Sequence, residues 1–332
     1  MHKIVIFRNI SCFKALVQFG YKSPMLYIYQ QTIAEPISFE GIGLHTGVKT
    51  KVTILPGIDN QGIVFKRVDL KKNNLVKADY RNVVSAKLCT KIQNESNVSV
   101  STVEHLLAAL YMAEIDNAVI EIDNEEVPIM DGSAKDFLDA LNNIEIKKLN
   151  SKRVYLKIIN DIKLVDGERS ISIEPNGTDF EVFFQLNYKN KIISNQKNQI
   201  NFQADSLNEI SEARTFCLYE DIEKIKKIGL AKGGSLSNAV VVDKEKVLNE
   251  GGLRNDKEFV NHKILDLAGD FLLSGYRVMG KVKCHQGGHE LTNMFLKKLF
   301  KEQLSYSQLE LKEITIPEKE NRYQTAKLAV SA

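Results

Sequence analysis

Two spacings of apolar residues alternate along the chain. In VKTKVTILP (48–56) and NAVIEID (117–123) apolar and polar residues take turns, which predicts strands with one buried face. In STVEHLLAALYMAEI (101–115) and SAKDFLDALNN (133–143) the apolar residues recur at three and four, which predicts amphipathic helices. After residue 150 the order repeats. RVYLKIINDIKLVDG, ERSISIEP and DFEVFFQLNY read as strand-like runs separated by turn signals, and helices are expected to begin near Asp205, Tyr219 and Asp256. Strands followed by helices, twice, predict an α+β protein of two layered halves, residues 30–150 and 151–332. The polar stretch NNIEIKKLNSK (142–152) is the expected junction, and no low-complexity linker separates the halves.

One helical segment departs from a plain apolar pattern. FVNHKILDLAGDFLLSGYRVMG (259–280) places His262, Asp266 and Asp270 four residues apart. At roughly 100° per residue, a step of four overshoots one turn by only about 40°, so these three side chains climb one face. An imidazole and two carboxylates in such a segment need a reason to be there.

Composition narrows the reasons. The 332 residues are 43% hydrophobic and 26% charged, as in globular proteins, and the length suits two domains. Lys3, Arg8, Lys14 and Lys22 fall in the first 29 residues, which hold no acid and account for more than the whole net charge of +3. A nearly neutral remainder without Trp argues against a nucleic-acid partner. The four cysteines form no CxxC pair, as expected of reduced thiols in a cytoplasmic protein. No apolar run approaches the roughly 20 residues of a transmembrane helix. The basic, aromatic first 29 residues form an extension. It reads either as translation from a false upstream start, with Met25 the true one, or as an organelle-targeting or membrane-surface segment.

There are only six histidines. Each has an ordinary explanation when taken alone. Ser101 and Glu104 have the S-x-x-E spacing of a capping box, so Glu104 could be only a helix cap beside a half-buried His105. His262 and Asp266 could be an intrahelical pair, Asp270 a solvated position, and His289 the ordinary first residue of a helix after two glycines. Taken together they suggest a metal site. Two histidines and one carboxylate form the usual protein half of a catalytic zinc centre. His262 and Asp266 supply two ligands from one rod, and His105 is the candidate third. Glu104 then stands beside a ligand, where a carboxylate can take a proton from an activated water, and His289, oriented by Asp270, could protonate a leaving group. The same ligand types also suit Fe(II), as in non-haem oxygenases, although those enzymes need no neighbouring base.

The blocks FEGIGLHTG, STVEHLLAAL, EVPIMDGSA, SEARTFC, LAKGGSLSNAVVVD, GGLRNDKEFVNHKILDLAGD and GGHELTN, in this order, resemble the zinc-dependent UDP-3-O-acyl-N-acetylglucosamine deacetylases of lipid A synthesis in Gram-negative bacteria. The resemblance runs from about Gln31 to near the C-terminus. It implies two α+β sandwiches of similar topology with zinc between them, and hydrolysis of the substrate acetamide to acetate and a free amine. It implies His105, His262 and Asp266 as zinc ligands, Glu104 as general base, His289 as general acid and Asp270 as the carboxylate that orients it. Thr215 matches the oxyanion-stabilising hydroxyl, Phe216 an aromatic beside the sugar, Lys263 a cation near the phosphates and His45 a histidine lining the cleft. An insert near 217–242 would form the acyl-chain passage, with Gly233 and Gly234 allowing close backbone approach or simply making a turn. The implied partner is the UDP-linked acylated sugar, and the implied state a cytoplasmic monomer. A non-catalytic binder of such sugars is the remaining alternative, to which intact Glu104 and His289 are opposed. The chain departs from the family at Leu186-Asn187-Tyr188-Lys189, where many members carry a Phe-x-His-Pro-like segment; Tyr188 is the aromatic available in its place.

Overall fold

The alternating segments pair into sheets in a computed structural model that describes residues 26–312. Ile37–Ile42, Lys49–Pro56, Ala118–Ile122, Ile63–Arg67 and Leu75–Lys77 lie in that order across a five-stranded sheet. Thr50, Val52 and Ile54 point inward from Lys49–Pro56, as alternation requires. A seven-stranded sheet is drawn from residues 154–310. Its long strand Arg277–His285 runs parallel to Val154–Ile158 and Phe180–Asn187 and antiparallel to Arg169–Glu174. The six α-helices among the described residues are α1 (Glu104–Met112), α2 (Lys135–Asn142), α3 (Asn208–Ser211), α4 (Tyr219–Lys227), α5 (Glu258–Leu272) and α6 (His289–Lys301). Mixed sheets with these helices make the protein α+β.

Two expectations are modified. The polar stretch after residue 142 is no loose connection, because Ile146–Lys152 pairs antiparallel with Tyr29–Ile33 and buries only Leu149. The helix expected near Asp205 shrinks to the single turn of α3. Asp205 instead accepts a hydrogen bond from Asn201 N at 2.8 Å, closing a turn of the kind that competes with helix.

The positions of 1–25, and with them the start-site and targeting expectations, lie outside the described residues. The stretch just after them is built into the fold. Leu26 and Ile28 pack against Tyr155, Met279 and Leu311, and the Tyr155 hydroxyl donates to Tyr27 O at 2.8 Å while accepting from Tyr27 N at 3.0 Å.

The core centres on two buried helices. Residues Glu104–Tyr111 of α1 are all buried, and on α5 every residue but Lys263 is. The two pack directly on each other. They meet backbone to backbone at Gly269, where a Cβ would stand 2.1 Å from Glu104 O and 3.0 Å from Ala108 N, so no other residue fits without moving a helix. The far end of α1 is held by Arg277, only 4% exposed, whose guanidinium donates to the carbonyls of Tyr111, Leu110 and Ile115. Those of Leu110 and Tyr111 belong to the last turn, which a helix leaves without intrahelical donors, and that of Ile115 lies just past it. Arg277 begins the long central strand, so the second sheet is pinned to the helix that carries Glu104 and His105.

Candidate active site

The packing of α1 on α5 brings His105, His262 and Asp266 together. Their candidate ligand atoms all lie within 4.8 Å of one another and all three residues are buried. His105 Nε2 and His262 Nε2 stand 3.5 and 3.4 Å from Asp266 Oδ1, with the two rings edge to face. Asp266 Oδ1 nevertheless has no hydrogen-bond partner among the described residues. The simple intrahelical His–Asp pair is therefore not what forms. His262 Nδ1–H donates to Ala213 O at 3.0 Å, which leaves the Nε2 lone pair directed at the cluster. Burial pushes the His262 imidazole down to about 3 against the pull of Asp266, so it is neutral. Burial also resists charge on Asp266, but the neighbouring imidazoles and the Lys263 ammonium outweigh it and hold the carboxyl well below the usual range. Two imidazoles and an ionised carboxylate whose Oδ1 is buried and unpartnered form a donor set that suits a divalent cation.

Glu104 is not a helix cap. Helix α1 starts at Glu104 itself with no side-chain cap, and the Ser101 hydroxyl donates to Glu125 O at 3.1 Å. The Glu104 carboxylate instead accepts from Thr90 N at 3.0 Å and faces His289 Nε2 at 3.7 Å. Burial raises its pKa, partly offset by His289 and His105. A carboxylate displaced upward in this way is better matched to proton abstraction near neutral pH than an ordinary one.

His289 opens α6, after Gly288, and Asp270 is only 3% exposed, so neither is a solvated bystander. His289 Nδ1–H donates to Asp270 Oδ2 at 2.8 Å. Burial and a helix N-terminus both disfavour the imidazolium, the latter by about 0.3–1 kcal/mol. Asp270, Glu104 and Asp266 outweigh that burial and hold His289 up to about 10. A protonated donor thus faces the same small space as the raised carboxylate.

Three of the four remaining expected residues line that space, and Phe216 lies beside it. His45, Thr215 and Lys263 border one cavity with Glu104, His105, His262, Asp266 and His289. Lys263 Nζ donates to Asp266 Oδ2 at 2.9 Å and lies 5.5 Å from the centre of the Phe216 ring. Phe216 packs edge-on to Phe259 and His262, and the Tyr188 ring is 6.0 Å away. A second cavity of about 310 Å³ shares His45 and Thr215 with the first and runs between Phe216, Ile222, Ile225, Leu236 and Val241. Gly233 behaves as the close-approach reading expects. A Cβ there would meet Gly43 O at 2.3 Å, and Gly233 N donates to Leu44 O at 3.0 Å, so the 43–47 turn sits directly against the loop before Asn238. Gly234 is under less constraint, its nearest contact being 3.3 Å.

Several residues at the site escape sequence reading. Buried Glu126 accepts from His45 N at 2.8 Å, Thr46 N at 2.7 Å and the Thr102 hydroxyl at 2.8 Å, and so fixes the turn that carries His45. Buried Glu258 accepts from the Arg214 side chain and from Arg254 N, anchoring the segment just before Thr215 to the start of α5. Thr90 is the third. Glu126 and Glu258 lie within two of the quoted blocks and Thr90 in none, but none of the three roles can be read from spacing, because His45, Arg214 and Asp270, the partners they fix at the site, are distant in the chain.

Comparisons with known proteins bear on the family of the chain. The profile of the LpxC family, UDP-3-O-acyl N-acetylglycosamine deacetylase, matches residues 30–301. The chain is 40% identical over 284 residues to the UDP-3-O-acyl-N-acetylglucosamine deacetylase of Citrifermentans bemidjiense, covering 85% of this chain and 92% of that one. The protein of the same name from Idiomarina loihiensis is 40% identical over 282 residues, 84% and 92% of the two chains, and that from Colwellia psychrerythraea 40% over 277 residues, 82% and 90%. The match takes in α1, α5 and α6, with every residue of the buried cluster, and the chain belongs to the UDP-3-O-acyl N-acetylglycosamine deacetylase family.

Proposed function

We propose that this protein is a zinc-dependent deacetylase of lipid A biosynthesis, which hydrolyses the acetamide of a UDP-3-O-acyl-N-acetylglucosamine to acetate and the free glucosamine amine. Deacetylation is the activity for which the family and the relatives are named. The assignment of roles to residues rests on one observation above all. A buried carboxylate and a buried imidazolium face each other across 3.7 Å beside a His-His-Asp cluster with an unpartnered oxygen. Mere binding of the sugar would require neither.

His105, His262 and Asp266 would hold the metal, which when bound supplies Lewis-acid polarisation of the acetamide and acidifies a water. Glu104 takes a proton from the attacking water. The Thr215 hydroxyl donates to the oxyanion as charge develops there, a contribution for which losing one donor costs about 3 kcal/mol. His289 delivers its Nε2 proton to the departing nitrogen, which would otherwise leave as an anion, while Asp270 keeps Nδ1 oriented. Lys263 serves the phosphate end of the substrate, and its pairing with Asp266 draws the ligand carboxylate into place. Phe216 and Tyr188 offer aromatic faces to the sugar and nucleoside, and His45 lines the cleft. The apolar cavity beside Phe216 takes the 3-O-acyl chain, the segment near 217–242 serving as an inserted passage. In this reading the halves 30–150 and 151–332 are two sandwich domains with the site between them. A monomeric, cytoplasmic enzyme belongs to this reading, and no helix among the described residues is long and apolar enough to cross a membrane.

Acetate release from the acylated nucleotide sugar tests the reading. It should be abolished by a chelator and restored by zinc, with Fe(II) compared in parallel. A rate indifferent to chelation would overturn it.

Asp270→Asn gives a separate check on the acid. It keeps the shape and an accepting oxygen for His289 Nδ1–H, with the amide NH2 donating to the Thr90 hydroxyl, but removes the charge that raises His289. An acid must be protonated to act, so activity is lost as pH rises through its pKa. Lowering that pKa should move the basic limb of the pH–rate profile to lower pH and reduce turnover at pH 7, with metal content unchanged. A limb that stays in place would remove Asp270 from this role.

A further inference from the structure

We infer that Thr90 is a positioning residue that holds the base and the acid in register, an inference resting on the roles proposed above for Glu104, Asp270 and His289. Thr90 is 1% exposed, in a segment that joins the short strands Val83–Ser85 and Lys91–Gln93. Its backbone and its side chain are used in two directions. The N–H donates to Glu104 Oε2 at 3.0 Å, and the hydroxyl donates to Asp270 Oδ1 at 2.7 Å. The carbonyl accepts from Val103 N at 3.4 Å, just before α1 begins.

These contacts complete a ring. From Glu104 it passes through Thr90 to Asp270, from Asp270 Oδ2 to His289 Nδ1 at 2.8 Å, and from His289 Nε2 back to Glu104 Oε1. Three of the four links are hydrogen bonds, and the fourth is the 3.7 Å gap. The ring is open only where proton-donating and proton-accepting atoms face one another. Glu104 belongs to α1, Asp270 to α5 and His289 to α6, so no single element fixes the width of the gap. Thr90 ties the first two together, and through Asp270 it reaches the third. It also occupies Asp270 Oδ1, leaving Oδ2 as the oxygen directed at His289, which fixes the carboxylate against rotation. A hydrogen bond to a charged group is the stronger kind, and a displacement of about 1 Å can cost about 10²-fold in rate.

Thr90→Val keeps the size, the β-branch and the N–H to Glu104, and removes only the hydroxyl. Its kcat should fall about 10-fold or more, as expected for a lost hydrogen bond to a charged group. KM and metal content should stay within about twofold of the parent. Thr90→Ser, which restores the hydroxyl without the methyl group, should recover most of the rate. A purely packing role would invert that order, with Val near normal and Ser impaired. That inversion, loss of metal in Thr90→Val, or a rise in KM in place of a fall in kcat would each overturn the inference. Glu104→Gln and His289→Ala, measured alongside, separate the two levels. If those variants keep their rates, the assignment of base and acid fails. If they are slow while Thr90→Val is not, the role of Thr90 alone fails.

Discussion

Asp266→Ala should lose bound metal and acetate release together. Asp266 carries the unpartnered Oδ1 on which both imidazoles converge, and without it only His105 and His262 remain as protein ligands. Two ligands fall short of the three that a catalytic zinc site keeps. The loss should exceed the roughly 10–100-fold that follows removal of an outer hydrogen-bond partner of a ligand. Asp266→Ala also strips Lys263 of its carboxylate, so a fall in activity alone is ambiguous. His262→Ala resolves this, because it removes a ligand and leaves the Lys263–Asp266 pair intact. Metal content by elemental analysis and acetate release by a coupled assay should fall in step in both variants. A variant that retains stoichiometric metal would remove that residue from the ligand set.

Glu104→Ala should do the reverse, keeping metal while turnover falls about 10²-fold or more, within the range for losing a general base. Glu104 is next to a ligand but contributes no atom to the His-His-Asp cluster. Glu104→Gln is the cleaner companion, since an amide oxygen can still accept from Thr90 N while the group can no longer take a proton. Both variants should be slow, with unchanged thermal midpoints for Gln. Near-normal turnover in either would return Glu104 to a structural role. Because Glu104 is buried beneath His289, Ala removes packing as well, and equal loss of rate in Ala and Gln would assign the effect to chemistry.

The helical face that carries His262, Asp266 and Asp270 is legible because its periodicity is local and its apolar surroundings exclude a solvated surface. His105 and Glu104 are legible only in combination, and the capping-box spacing at Ser101 points the wrong way. What decides it is the Ser101 hydroxyl bonding to Glu125 O, a contact across a turn that a four-residue motif cannot foresee. Thr90, Glu126 and Arg277 are invisible for a related reason. Their partners lie 180, 81 and 166 residues away, at Asp270, His45 and Tyr111, so the choice of Thr, Glu or Arg at those positions has no meaning until the chain is folded. The strands are legible in their alternation, but their order is not. Arg277–His285 enters the seven-stranded sheet beside strands more than ninety residues earlier, and no local pattern encodes that neighbourhood. The polar Ile146–Lys152 reads as a connection because only Leu149 is buried on it, and it becomes a strand by borrowing a partner from the start of the described chain.

The contact at Gly269 bears on what this molecule can vary. There α5 rests on α1 main chain against main chain, with Glu104 O filling the place of a side chain. The spacing between the two helices that carry Glu104, His105, His262 and Asp266 is therefore a backbone dimension at this point, outside the reach of gradual side-chain exchange. A sequence drifting over time can trade Leu for Met or Ile for Val around that pair without rescaling the reacting centre. Under the proposed assignment, adaptation to a different acyl length falls instead on side chains that line the apolar cavity, such as Ile222, Ile225 and Leu236, which can change one at a time while the centre stays the same size.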